Sequence, residues 1–161
     1  LRRLSLWLQS GYHHKELGLG MMMSESKPVD GAVVPVDERD LQLMLESGYL
    51  YLELQKPKDS QEIFSGVEAL LPQSEVPQLA LNHLHFAKGE FPKALAAAKK
   101  AVEMNPGSAA AHAAVGEALL FLKRIPEGRE SLKRAISLEP DSPAAEFAKA
   151  LEEAIDVGVF A

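Results

Sequence analysis

Acid–base or metal chemistry in this chain would have to draw on five histidines and 23 acidic residues. His13 and His14 are neighbours in the first twenty residues. His83 and His85 are two apart, a spacing that points them to different sides of a helix and makes a poor metal pair. His112 sits in a run of small apolar residues and reads as a structural side chain. There is no cysteine, which removes disulfides, thiol nucleophiles and thiolate metal sites together. Ser24-Glu25-Ser26-Lys27 has the form S-x-x-K, but it lies beside Pro28 and Gly31 with no companion motif and reads as chance. No glycine-rich phosphate loop occurs. Acidic pairs such as Glu152-Glu153 fall on the polar side of a helical pattern and solvate it. No catalytic residue, metal site or cofactor is assigned, and the chain is not expected to be an enzyme.

The bulk composition narrows the partners. Apolar residues make up 47% of the 161 positions and charged residues 25%, the balance of an ordinary globular domain. The net charge of -6, with bases interleaved among acids, argues against phosphate backbones as ligands. No apolar run reaches the roughly 18 residues that would span a bilayer. The opening Leu1-Arg2-Arg3-Leu4-Ser5-Leu6-Trp7-Leu8 begins as a signal peptide does, but Ser5, Gln9 and then His13 to Glu16 break it. Met21-Met22-Met23 reads as the natural start, with residues 1–20 upstream of it. The lack of cysteine fits a reducing cytoplasm, the expected compartment.

Positioning belongs to helices. Residues 1–39 have weak periodicity and include Pro28, Gly31 and Pro35, which reads as a flexible leader. From Leu41 apolar residues recur at helical spacing. Breaks fall near Gln55-Lys56-Pro57, Leu71-Pro72, Lys88-Gly89, Asn105-Pro106-Gly107 and Glu139-Pro140. Two markers repeat in one register. Gly48, Asn82 and Gly116 are spaced by 34, and so are Pro72, Pro106 and Pro140. The prolines end helices, since proline lacks the N–H and clashes with the preceding turn. The small residues let paired backbones approach while Tyr51, Phe64, Phe91, Leu119 and Leu132 fill the space beside them. Ser108 and Asp141 can cap the helices that follow them.

This pattern resembles the tetratricopeptide repeat (TPR), a hairpin of two helices with a 34-residue period. The third unit carries it at His112, Val115, Gly116, Leu119, Gly128, Leu132, Ala135 and Pro140. The second unit shows the typical run from Leu84 through Gly89 and Phe91 to Leu95. The first is the least regular, with Ser47 and Ser60 at usually apolar or alanine places and Pro57 in its turn. The resemblance implies an all-α fold: a right-handed α-solenoid of three TPR hairpins plus a C-terminal capping helix. The expected units are 41–74, 75–108 and 109–142, within a domain over 40–160. The cap is expected over 143–157, its apolar stripe running from Ala145 through Phe147 and Leu151 to Ile155.

In this family one face of each first helix lines a concave groove. Carried onto this register, the expected groove residues are Leu45, Tyr49 and Leu52; Val76, Leu79, His83 and Phe86; and Ala113, Glu117, Leu120 and Phe121. Gln42, Glu53, Ala87 and Ala110 flank them. TPR co-chaperones that grip acidic tails place Lys, Asn and Arg on this face, where this chain has Leu45, Tyr49, Ala110 and Ala114. An anionic terminus needs charged donors, so the groove suits an apolar or amphipathic segment of a protein client. Size and groove character resemble the small chaperones of bacterial type III secretion that hold needle subunits or translocators. The alternative is a general TPR scaffold or assembly factor. Nucleic acid and membrane are not expected partners, and a homodimer or a hetero-complex is open.

Overall fold

The computed structural model describes residues 27–160. Within them, seven helices follow one another: α1 Glu38–Glu53, α2 Pro57–Leu70, α3 Val76–Ala87, α4 Phe91–Met104, α5 Ala109–Phe121, α6 Ile125–Leu138 and α7 Pro143–Asp156. They make an all-α solenoid. The second helices start at Pro57, Phe91 and Ile125 and end at Leu70, Met104 and Leu138, each 34 residues apart. The first helices end in the same register, at Glu53, Ala87 and Phe121.

Local chemistry sets these limits. Proline stands in the first turn of α2, α3, α4, α6 and α7, where its fixed φ suits the helix and its missing N–H is not needed. Ser108 Oγ accepts from Ala111 N at 3.1 Å and caps α5. The cap of α7 is Ser142, whose Oγ accepts from Ala145 N, and not Asp141. The helix begins at Pro143, so the residue directly before it takes that role.

Each hairpin turn is one motif used three times. Gln55, Gly89 and Lys123, again 34 apart, all have positive φ, at 58°, 72° and 61°. The next residue's N–H reaches back five positions, as from Glu90 to His85 O at 2.8 Å and from Arg124 to Leu119 O at 2.9 Å. This left-handed C-terminal closure satisfies carbonyls that the helix end leaves orphaned. Gly158 ends α7 the same way.

Within each hairpin, volumes complement one another. A Cβ at Gly48 would lie inside the Phe64 ring, and one at Gly116 would lie 2.6 Å from Leu132 Cδ2. The second unit reverses the sizes: Asn82 stands in the glycine place and Ala98 faces it in the place of Phe64 and Leu132. The extra room holds the amide, whose Nδ2 donates to the buried Ala94 O at 2.9 Å. Large-on-small pairing therefore survives a swap of partners.

Between hairpins, α1 packs on α3 and α3 on α5, whereas no comparable contact joins α2 to α4 or α4 to α6. The first helices thus form the inner layer. The array is closed by α7, which packs on both α6 and α5. Residues 27–37, within the stretch read as a leader, fold into a small loop. Val29 N donates to Val36 O, Val33 N donates to Leu70 O, and Val29 and Ala32 pack on the core of the first hairpin.

Candidate binding groove

The inner face has five ranks, each repeated at 34 residues. One rank is Tyr49, His83 and Glu117, directly after the close-packed positions 48, 82 and 116. Tyr49 is half-buried, packs its ring 5.0 Å from Phe64 and meets the His83 ring edge-on at 6.0 Å. Burial pulls the His83 imidazole down to about 4, a hydrogen bond at Leu79 backbone opposing it, so the ring is neutral at pH 7. Burial alone pushes the Glu117 carboxyl up to about 8, so it too is neutral near pH 7. This rank therefore offers a phenol, a neutral imidazole and a neutral carboxylic acid.

The remaining ranks are apolar but unequally open. Leu45 is buried, Leu79 half-buried and Ala113 buried. Leu52 and Phe86 are half-buried, but Leu120 is completely enclosed, against Gly128 and in one cluster with Ala148 of α7. Ala113 belongs to that same cluster. Val76 is half-buried near the entry of α3, and Phe121 stays 41% exposed. Leu52, Val76, Leu79, Phe86, Phe121 and the face of Tyr49 are thus the accessible apolar positions. Ala113 and Leu120 support them from beneath, because the capping helix covers the third unit more fully than its neighbour covers the first.

A feature that periodicity does not reveal lies at the hairpin end of this face. Phe86, Phe91 and Phe121 form a triangle with centroids 4.7 to 5.1 Å apart. Phe160, from beyond α7, adds a fourth ring 5.6 Å from Phe121. Its carbonyl accepts from Lys123 Nζ at 3.1 Å. Edge-to-face geometry dominates, the arrangement ring quadrupoles prefer. Phe91 was legible as a turn residue, but nothing in the repeat pattern pointed to Phe160, which lies outside it.

Among the described residues no group of three His, Asp or Glu could hold a metal ion. His85 bonds Glu90 at 2.8 Å, and His112 Nε2 pairs with Pro106 O at 3.0 Å. Among the described residues no helix is long and apolar enough to cross a membrane. Two open depressions lie at matching places on the outer side, one beside Met44, Glu62 and Ile63, the other beside His112, Glu130 and Ser131. Both are shallow and mixed in polarity.

Residues 85–154 match the family model described as tetratricopeptide repeat. No curated protein sequence matches the chain. Among solved structures, the first TPR of Spaghetti (RPAP3) bound to the HSP90 peptide SRMEEVD is 20% identical, with a TM-score of 0.61, covering 75% of this chain and 97% of that one. PcrH in complex with the chaperone binding region of PopB is 21% identical, with a TM-score of 0.62, covering 74% and 96%. The type III secretion translocator chaperone SycD of Yersinia enterocolitica is 17% identical, with a TM-score of 0.65, covering 73% and 91%. At these identities the likeness is one of fold. Residues 85–154 carry the tetratricopeptide match, and the helical hairpins of the described residues stack as they do in these solved TPR structures.

Proposed function

We propose that this TPR protein-binding module is a chaperone that holds an apolar or amphipathic segment of a client protein along its inner face, as the type III secretion chaperones do. The observation that carries the reading is the chemistry of that face. Its accessible positions are Leu52, Val76, Leu79, Phe86, Phe121 and the Tyr49 ring, and Arg39 is the lone Lys or Arg on α1, α3 and α5. A groove built to clamp an acidic terminus, like that of the HSP90 peptide held by the Spaghetti domain, needs cationic donors. This groove instead presents rings and aliphatic chains, which gain by removing apolar surface from water. PcrH in complex with the chaperone binding region of PopB is one structural neighbour whose task the groove fits. A cytoplasmic setting goes with this reading.

Phe121 gives the cleanest test, since its exposure lets it change without emptying the core. Phe121→Glu is expected to keep the helical circular dichroism of the parent and to lose co-purification of the client recovered with it. Undiminished co-purification by the folded variant would contradict the reading. It would leave the general scaffold, binding through another face, as the better account.

A further inference from the structure

We infer that the segment filling this groove carries a Lys or Arg side chain that reaches Glu117 and forms a charge-assisted pair with it. This inference rests on the holding function above and specifies its client. Glu117 is 4% exposed, its side chain makes no hydrogen bond or ion pair among the described residues, and its carboxyl oxygens are not wholly shut off from solvent. It takes the inner-face position held by His83 and Tyr49 in the units before it. A buried carboxyl with no partner is costly even when neutral. Leucine at this position would fill the same space at no such cost, as Leu120 does one turn later.

Charge distribution says what the missing partner is. The inner helices carry Glu38, Asp40, Glu46, Glu53 and Glu117 against Arg39 alone. The outer helices α4 and α6 carry Lys93, Lys99, Lys100, Arg129, Lys133 and Arg134. None of these cations pairs with Glu117; Lys100 bonds Glu68, and Arg129 bonds Glu152 and Asp156. On the helices packed against α5, His83 of α3 is held neutral by burial, and Glu152 of α7 is bonded to Arg129 of α6 at 2.9 Å. Burial is the whole cause of the state of Glu117, with no charged group acting on it. A cation entering this apolar groove finds one buried acceptor. Pairing there ionises the carboxyl and sends its proton to solvent, so binding and proton release are linked.

The test uses the full chain and five 16-residue peptides of Leu, Ala and Gln. In four of them a single Lys walks through one helical turn, and in the fifth norleucine replaces it. Calorimetry at pH 7, in phosphate and in Tris, gives affinity and proton count together. The inference expects one Lys register to bind about tenfold tighter than norleucine or more. That register alone should release close to one proton per complex, and Glu117→Gln should erase both the preference and the release. If all five peptides bind equally and none releases a proton, the inference fails while the holding function stands. If none binds, both fail. Should Glu117→Gln not fold, proton release by the parent chain decides.

Discussion

The first and third hairpins occupy equivalent places in one repeat and have unequal surroundings. In the third, α5 is apolar except at His112 and Glu117 and packs against α4, α6 and α7. In the first, α1 is amphipathic and keeps Leu43 and Leu50 more than half exposed, as is Leu54 at its C-terminal end. A repeat register fixes which residues face inward, but the neighbouring element decides whether an inward residue is a surface or a core. Leu52, Phe86 and Leu120 share one rank, and only Leu120 is enclosed.

The sharpest way to break this comparison is to place a charge in each hairpin. Leu120→Glu would bury an unpaired carboxylate against Gly128 and Leu132. It should cost more than about 4 kcal/mol and leave the chain unfolded or nearly so. Leu50→Glu, at a site 54% exposed, should stay within about 0.5 kcal/mol of the parent. Urea titration of both checks the pair, and similar losses would refute the asymmetry.

Titration offers the next largest effect. A carboxyl raised in the fold to about 8 favours folding fully only below its unfolded value near 4.5, and that contribution is lost as pH rises toward 8. Glu117→Gln cannot ionise, so its advantage over the parent should be nil near pH 4.5 and grow to a few kcal/mol by pH 8. His83 acts in the opposite direction. Its folded value near 4 means stability is intact above about 6.5 and lost as pH falls toward 4. Melting temperatures of the parent and Glu117→Gln between pH 4.5 and 8.5 test both signs. A constant gap between them would contradict the neutral carboxyl.

The second hairpin allows a subtler comparison with the third. Asn82→Gly removes the hydrogen bond to Ala94 O, and Ala98→Leu crowds Asn82. Each alone should cost about 1 to 3 kcal/mol. Together they recreate the Gly116 and Leu132 pairing, so the double variant should recover about 1 kcal/mol or more beyond additivity. Additive losses would show that the two sites do not share one volume. The smallest effect lies in the turns. Gln55 holds a φ of 58° that Gly89 holds freely, so Gln55→Gly should raise stability by about 0.5 kcal/mol, the relief of strain slightly exceeding glycine's entropic penalty.

Much of the fold was legible because the markers act locally. Pro72, Pro106 and Pro140 end helices wherever they stand, and Gly48 and Gly116 declare a close approach by their size alone. The left-handed turns were half legible: Gly89 signals one, while Gln55 and Lys123 adopt the same conformation with no local preference for it. The candidate groove was legible in register and not in depth. Ala113 and Leu120 are enclosed by α7, and the Phe160 ring joins Phe121 only once the chain has turned at Gly158. The neutral state of Glu117 is likewise a product of burial by neighbouring helices, which no single-helix pattern encodes.

The central claim is that the inner face holds the client. Photo-crosslinking in cells tests it most directly, with benzoylphenylalanine placed singly at Leu52, Leu79 and Phe121 inside and at Ile63 and Lys133 beside the outer depressions. The account predicts that the three inner positions capture one and the same protein and the two outer positions do not. Capture from the outer positions, with none from inside, would contradict it.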